Sequence, residues 1–141
     1  MILLDTNVVS EPMKRSSDPR VVDWLDAQAI ETLYLSTISL SELLLDIESL
    51  PGGKRRESLA AALAEQIADL FGDRIIPFDV PAARAYAKVV ARARGQGHPI
   101  SVADGQIAAI AAVHGLKIAS RDEAPFRAAG LIVINPWHHE E

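Results

Sequence analysis

The sequence predicts an α/β fold in which helices cover both faces of a central, mainly parallel sheet of five strands. Five short apolar runs alternate with segments of helical periodicity, and strands that are joined through helices form parallel sheets. The first run, residues 1–4, is apolar throughout, as expected of a strand that is buried on both faces. A length of 141 residues fits one domain that spans residues 1–141.

The first half of the chain contains two strands and three helices. Residues 1–4 form an apolar run that ends at Asp5, and residues 33–36 form the second strand. The first helix begins at the Asp18-Pro19 cap, and the second spans residues 39–50. A Pro-Gly-Gly break precedes the third helix, residues 54–71. On one face of this third helix we expect Leu59, Leu63, Ile67 and Leu70.

The second half of the chain continues the alternation. Residues 74–78 are the third strand, and Asp79 caps a helix that begins near Pro81 and ends at Gly95 or Gly97. Ser101 caps the next helix, which stops at His114-Gly115. Residues 116–120 and 131–134 are the fourth and fifth strands, with a short helical turn over residues 122–129 between them.

Composition excludes several classes of protein. The chain has no cysteine, which excludes disulfides, thiolate zinc sites and iron–sulfur clusters. Its 14 basic and 19 acidic residues give a net charge of −5, which at first argues against a nucleic-acid partner. Net charge does not say where the acids lie, however. No apolar run approaches the ~20 residues that span a bilayer, and we expect a cytoplasmic protein without a membrane partner.

Four acidic residues stand near the ends of predicted elements, where sites form in parallel sheets. Asp5 follows the first strand, Asp122 follows the fourth, and Glu42 and Asp104 lie in early turns of helices. Each has an ordinary structural alternative as a turn residue, a solvent-facing helix acid or a helix cap. Together, in apolar surroundings, they would repel one another unless a cation offset the charge. All-oxygen ligands suit Mg²⁺ or Mn²⁺, which can activate water to hydrolyse a nucleic acid.

The residues around these acids resemble those of PIN-domain ribonucleases. Residues 2–10, with Asp5-Thr6-Asn7, look like the family's opening, and residues 39–43 resemble the segment of its second acid. Residues 100–109 and 119–122 resemble the segments of the third and fourth acids. The resemblance runs along the whole chain and is strongest to VapC-type toxins of bacterial toxin–antitoxin operons. It is closest to the FitB-like subgroup, which shares Ile-Pro-Phe-Asp at 76–79 and Asn-Pro-Trp-His at 135–138.

The resemblance implies a three-layer α/β/α PIN-like fold, a homodimer and Mg²⁺- or Mn²⁺-dependent endoribonuclease activity. It also implies a VapB/FitA-like antitoxin, with operator DNA bound only through the complex. The resemblance implies that Asp5, Glu42, Asp104 and Asp122 are the catalytic metal ligands. Residues that would hold these carboxylates are Thr6, Asn7 and Ser120, and Arg121 would contact the substrate. The chain departs from many relatives at Pro125, where they carry an acid, and at Asp122, where others carry asparagine.

Further expectations concern binding surfaces. The apolar helices over residues 39–71 predict a groove for the antitoxin, with a dimer surface elsewhere. Lys54-Arg55-Arg56 and the row Arg84, Lys88, Arg92 are candidate binding residues or simply solvated helix surface.

Two alternatives to a nuclease stay open at this point. One is a catalytically silent module that binds an antitoxin and DNA. The other is a phospho-acceptor receiver domain, which would need a strand-end aspartate and a late lysine. For the receiver, Asp79 and Lys117 fit poorly because Asp79 reads as a helix cap and Lys117 lies inside a strand.

Overall fold

A computed structural model describes residues 1–140 and contains a sheet of five parallel strands in the order β3-β2-β1-β4-β5. The strands are β1 (Ile2–Leu4), β2 (Leu33–Ser36), β3 (Ile75–Ile76), β4 (Lys117–Ala119) and β5 (Val133–Ile134). The predicted parallel sheet is therefore confirmed. The third and fifth strands are shorter than the apolar runs that predict them, and each has only one neighbouring strand.

Helices connect the strands. They are α1 (Thr6–Ser10), α2 (Pro19–Asp26), α3 (Thr37–Glu48), α4 (Lys54–Phe71), α5 (Val80–Gly95), α6 (Val102–His114) and α7 (Glu123–Ala128). Helix α1 is absent from the sequence prediction, in which the Asp5-Thr6-Asn7 segment only ends a strand. Helix α3 begins two residues earlier than predicted, because the Ser36 hydroxyl accepts a hydrogen bond from the Ser39 amide at 3.0 Å and caps the helix.

Two separate cores show that helices cover both faces of the sheet. Leu3 and Ile118 pack on one side with residues of α5, α6 and α7. Ile2 and Leu4 pack on the other side with residues of α2, α3 and α4. Neighbouring residues of β1 thus point to opposite faces, as the two-residue period of a strand requires. The predicted three-layer α/β/α arrangement is confirmed.

Helix α4 buries a narrower face than its sequence predicts. Leu63, Ile67 and Phe71 are buried at a spacing of four residues. Leu59 and Leu70, which we expected on the same face, are 39% and 43% exposed. The buried residues therefore lie along the second half of the helix. The last of them is Phe71 and not Leu70, which the sequence predicts.

Gly105 lies where α6 approaches α5 most closely. A Cβ atom at this position would lie 2.8 Å from Tyr86 Cε2 and 2.9 Å from Val90 Cγ2. We expect Gly105→Ala to lower the free energy of unfolding by about 1 kcal/mol, since overpacking costs about 1–3 kcal/mol and alanine regains at most about 1 kcal/mol of helix propensity. Urea unfolding checks this value. Gly95→Ala in α5 is the matched control, since its Cβ meets nothing within 4 Å; equal destabilisation of both variants would contradict the steric explanation.

Candidate active site

All four sequence-predicted acids line one cavity at the edge of the sheet where β1 and β4 end. The cavity has a volume of about 290 Å³. Its lining residues, which we call the acid pocket, are Asp5, Thr6, Asn7, Ser10, Glu42, Asp104 and Asp122. The acids come from four places along the chain, and the parallel sheet brings these places together because its strands all end at the same edge.

Asp5 is the buried member of the acid pocket, with 5% of its surface exposed. Its Oδ1 accepts a hydrogen bond from the Thr6 amide at 2.8 Å, and its Oδ2 accepts one from the Ser120 hydroxyl at 2.7 Å. Hydrogen bonds to both oxygens therefore fix the orientation of the Asp5 carboxylate. The pKa of Asp5 is raised to about 6. Burial is the main cause, the charges of Asp104 and Glu42 add to the rise, and the two hydrogen bonds oppose it.

Glu42 is half-buried in the second turn of α3 and is tied to the end of β1. The Thr6 hydroxyl donates to Glu42 Oε1 at 2.8 Å and lies 3.0 Å from the hydroxyl oxygen of Ser39. Ser39 itself is completely buried. The side chain of Thr6 therefore orients the Glu42 carboxylate relative to Asp5.

Asp104 lies in the first turn of α6, beside its Ser101 cap. The Ser101 hydroxyl accepts a hydrogen bond from the Asp104 amide at 3.2 Å. This bond satisfies the helix terminus through the backbone of Asp104 and leaves its carboxylate on the cavity wall. Burial raises the pKa of Asp104, and the charges of Asp122 and Glu42 raise it further.

Asp122 is exposed and precedes α7 without capping it through its side chain. The structural alternative that the sequence leaves open for this residue, a helix cap, is therefore wrong. Its amide donates to the Ser120 hydroxyl at 3.0 Å, and the same hydroxyl donates to Asp5. One fully buried serine thus connects the segment that carries Asp122 to the buried Asp5 carboxylate.

Among residues 1–140, no basic residue lines the acid pocket. The raised pKa values of Asp5 and Asp104 reflect carboxylates whose charge no neighbouring cation offsets. This donor set fits a hard divalent cation such as Mg²⁺ or Mn²⁺, which prefers carboxylate, hydroxyl and water oxygens. In residues 1–140 no three His, Asp or Glu side chains are gathered tightly enough to hold a metal as they stand. A cation would therefore have to draw the carboxylates closer together.

The remaining predicted residues lie at the rim of the acid pocket. Asn7 lines the pocket but bonds to none of its acids; its Oδ1 is 3.5 Å from the Arg121 amide. Arg121 is exposed, and its guanidinium carbon lies 5.2 Å from the ring centroid of Trp137, in cation–π contact. Trp137 is buried beneath it.

Sequence reasoning did not assign Ser10, which lines the acid pocket, and it missed two residues that support the site from outside the pocket. Ser39 lies against Thr6, and Trp137 supports Arg121. The available signal for Ser39 was its position three residues before Glu42 on a helix, which places both on one face. No local pattern links residue 137 to residue 121, because their contact exists only in the folded chain.

Comparison with known proteins agrees with this architecture. The family model of the PIN domain matches residues 2–131. The chain is 48% identical over 137 residues to the VapC ribonuclease Y4jK of Sinorhizobium fredii, covering 97% of this chain and 98% of that protein. It is 47% identical over 138 residues to Toxin FitB of Neisseria gonorrhoeae, covering 98% and 99%. A structure of FitAB bound to an IR36 DNA fragment matches with a TM-score of 0.94 and 45% identity, covering 100% and 99%. Within the described residues, no helix is long and apolar enough to cross a membrane.

Proposed function

Because this chain belongs to the PIN-domain family, we propose that it is the metal-dependent endoribonuclease toxin of a type II toxin–antitoxin pair. Its reaction is the hydrolysis of RNA phosphodiester bonds at the acid pocket, and its single PIN domain spans residues 1–141. The receiver-domain alternative falls with the family assignment. Likeness to a VapC ribonuclease and to Toxin FitB supports the proposed substrate and role.

The observation that carries the proposal is the acid pocket. Its carboxylates come from separate elements and share one cavity that has no cation in its lining. Such an arrangement raises the pKa of Asp5 to about 6 and so weakens the metal-free protein. A purely structural role does not account for this cost, whereas a divalent cation bound by the carboxylates would offset it.

We assign the ligand positions to Asp5, Glu42, Asp104 and Asp122. A bound Mg²⁺ or Mn²⁺ would lower the pKa of an attacking water molecule and would place positive charge beside the scissile phosphate. Ser120 and Thr6 hold Asp5 in one orientation, and Thr6 also orients Glu42. Such supporting hydrogen bonds keep ligands in place and sustain their affinity for the cation.

Arg121 is the residue that we assign to substrate phosphate. It follows Ser120 directly, its side chain is exposed, and its guanidinium lies against the Trp137 ring, which restricts its orientation. An exposed guanidinium fixed in this way can bind a phosphate oxygen pair with less loss of conformational entropy than a mobile side chain. Asn7 lines the acid pocket, and its Oδ1 accepts a hydrogen bond from the Arg121 amide at 3.5 Å.

We also propose a VapB/FitA-like antitoxin as partner, a homodimer, and operator DNA bound only through the complex. The matched structure of FitAB bound to a DNA fragment supports the antitoxin and the DNA. An apolar groove of about 670 Å³ lies between α2, α4 and the segment after α1. Met13, Ile30 and Leu70 in its lining are 49%, 43% and 43% exposed. This groove is our candidate for antitoxin docking, and it includes only the α4 part of the region that the sequence predicts.

The proposed activity is tested by cleavage of structured RNA with Mg²⁺ or Mn²⁺. We expect cleavage by the wild-type chain, its loss in EDTA, and its recovery when the metal is restored. Asp104→Asn should lower the cleavage rate more than about 100-fold, since even loss of a group that only supports a ligand costs about 10–100-fold. Asp46→Asn on the exposed side of α3 is the control. Cleavage that persists in a folded Asp5→Asn/Asp104→Asn chain would refute the proposal.

The alternative is a catalytically silent module that only binds an antitoxin and, through it, DNA. Calorimetry separates the two possibilities. Binding of Mn²⁺ or Mg²⁺ at millimolar concentration, abolished by Asp5→Asn, favours the nuclease. No metal binding by a folded wild-type chain favours the silent module.

A further inference from the structure

A second cavity lies at the opposite edge of the sheet from the acid pocket, where β4 begins. Its volume is about 480 Å³. It is formed by the second half of α5, the end of α6 and the turn that follows α7. Of the described residues, the charged ones that line it are Lys88, Arg92 and Lys117, and we call it the basic cleft.

The three cations of the basic cleft have no acidic counterpart. None of them takes part in an ion pair or a side-chain hydrogen bond within residues 1–140. The carbonyls at the C-terminal ends of α6 and α7 do not accept hydrogen bonds from these cations either, because they already accept them from backbone amides. Gly115 and Leu116 donate to carbonyls of α6, and Gly130 and Leu131 donate to carbonyls of α7. Like charges around one cavity are unfavourable unless an anion binds between them.

Arg92 is built into the wall of the cleft. A Cβ atom on Gly130 would lie 2.7 Å from Arg92 Nη1 and 2.9 Å from its Cζ. Gly130 also has a φ of +96°, in the region that favours glycine. The absence of a side chain at residue 130 therefore lets the guanidinium lie against the backbone, which restricts the orientation of its donors toward the cavity.

Exposed cations on α5 extend in a row from the basic cleft toward the other edge of the sheet. This helix begins at Val80, four residues after β3 ends at Ile76, and its second half lines the cleft. Arg84, Lys88 and Arg92 are spaced by four residues and share one exposed face. At about 1.5 Å per residue the row extends for about 12 Å, from the half of α5 nearer the acid-pocket edge toward the cleft.

We propose that the basic cleft binds the phosphate backbone of the RNA substrate at a distance from the cleavage site. This inference rests on the proposed function and adds an anchoring surface to it. A chain of net charge −5 with an acidic cavity at its cleavage site must attract RNA through local positive charge. Arginine and lysine side chains around one cavity provide the donors that bind phosphates. A structured RNA that spans both edges would then be held better than a short oligonucleotide.

The test compares two triple variants of the full-length chain. Lys88→Gln/Arg92→Gln/Lys117→Gln removes the cleft cations, and the control Lys14→Gln/Arg15→Gln/Arg20→Gln removes three exposed cations that line neither the basic cleft nor the acid pocket. Binding of a structured RNA is measured in EDTA across a salt series. The cleft variant should bind about tenfold more weakly, and its slope of log affinity against log salt should fall by about 2, since each single-strand phosphate contact contributes about 0.7. The control should keep most of the wild-type slope.

Cleavage assays then separate the inference from the proposed function. We expect the cleft variant to raise KM for the structured RNA and to cleave a short oligonucleotide like the wild type. Equal losses in both triple variants, or unchanged RNA binding by the cleft variant, would overturn the inference. A loss confined to duplex DNA of the same sequence would overturn it too. If the wild-type chain cleaves no RNA but the cleft variant still loses RNA binding, the proposed function fails and the cleft assignment stands.

Discussion

Asp5→Asn is expected to abolish RNA cleavage and, at the same time, to stabilise the metal-free protein. Cleavage should fall by more than about 100-fold because the variant loses the buried carboxylate of the donor set. Stability should rise because a carboxylate whose pKa is about 6 is ionised at pH 7 against the cost of burial. Asparagine has nearly the same shape and carries no charge. We therefore expect Asp5→Asn to raise the free energy of unfolding of the metal-free protein by about 2 kcal/mol.

Thermal unfolding in EDTA measures the stability change, which we expect to raise Tm by about 5 °C. Asp69→Asn on the exposed part of α4 is the matched control and should leave both Tm and cleavage unchanged. Opposite signs for activity and stability are the signature of a functional residue that is costly to the fold. A lower Tm together with lost cleavage would instead indicate that Asp5 is needed for folding.

The second large effect is a pH dependence with opposite signs for stability and metal affinity. The pKa of Asp5 is raised from 3.8 to about 6 on folding, so the folded chain binds this proton more tightly than the unfolded chain. The stability that protonated Asp5 contributes is fully present below about pH 4 and is lost as pH rises through about 6. The loss amounts to about 3 kcal/mol for the metal-free protein. Asp104, whose pKa is also raised, acts in the same direction.

Metal binding should follow the reverse course, because the cation requires deprotonated ligands. We expect Mn²⁺ to bind about tenfold more weakly at pH 5 than at pH 7, since Asp5 is then about 90% protonated. Calorimetry at both pH values, and urea unfolding in EDTA from pH 4 to pH 8, measure the two trends. The same unfolding series on Asp5→Asn should have a flatter pH dependence. A wild-type affinity for Mn²⁺ that is equal at both pH values would contradict the assignment of Asp5 as a ligand.

Charges of opposite sign line two separate cavities of the folded protein. The net charge of −5 argues against nucleic acid only if the charges are spread evenly. In the structure, acids line the cavity at the edge where β1 and β4 end, and three cations line the cleft where β4 begins. Net charge therefore predicts little about the partner of this protein, and the positions of the charges predict more.

Local patterns were sufficient for most of the fold. Apolar runs determine the strands because each is buried on both faces, and caps such as Ser101 and Asp79 determine helix starts through hydrogen bonds within three residues. The order of elements then implies a parallel sheet.

Helix α1 was missed because its five residues follow a strand directly and its cap, Asp5, also serves the acid pocket. Leu59 and Leu70 were misplaced because the periodicity of a helix does not show which part of it touches the sheet.

The sequence by itself determined which residue types can form the candidate site: hard oxygen ligands in apolar surroundings, without cysteine. Only the tertiary structure decided how they are held. The hydrogen bonds of Ser120 to Asp5 and of Thr6 to Glu42 join residues 115 and 36 positions apart. The basic cleft likewise combines Lys88, Lys117 and the space that Gly130 leaves for Arg92. A pattern in the sequence reports on neighbours along the chain, whereas burial, shared hydrogen bonds and charge repulsion depend on distances in space that exist only after folding.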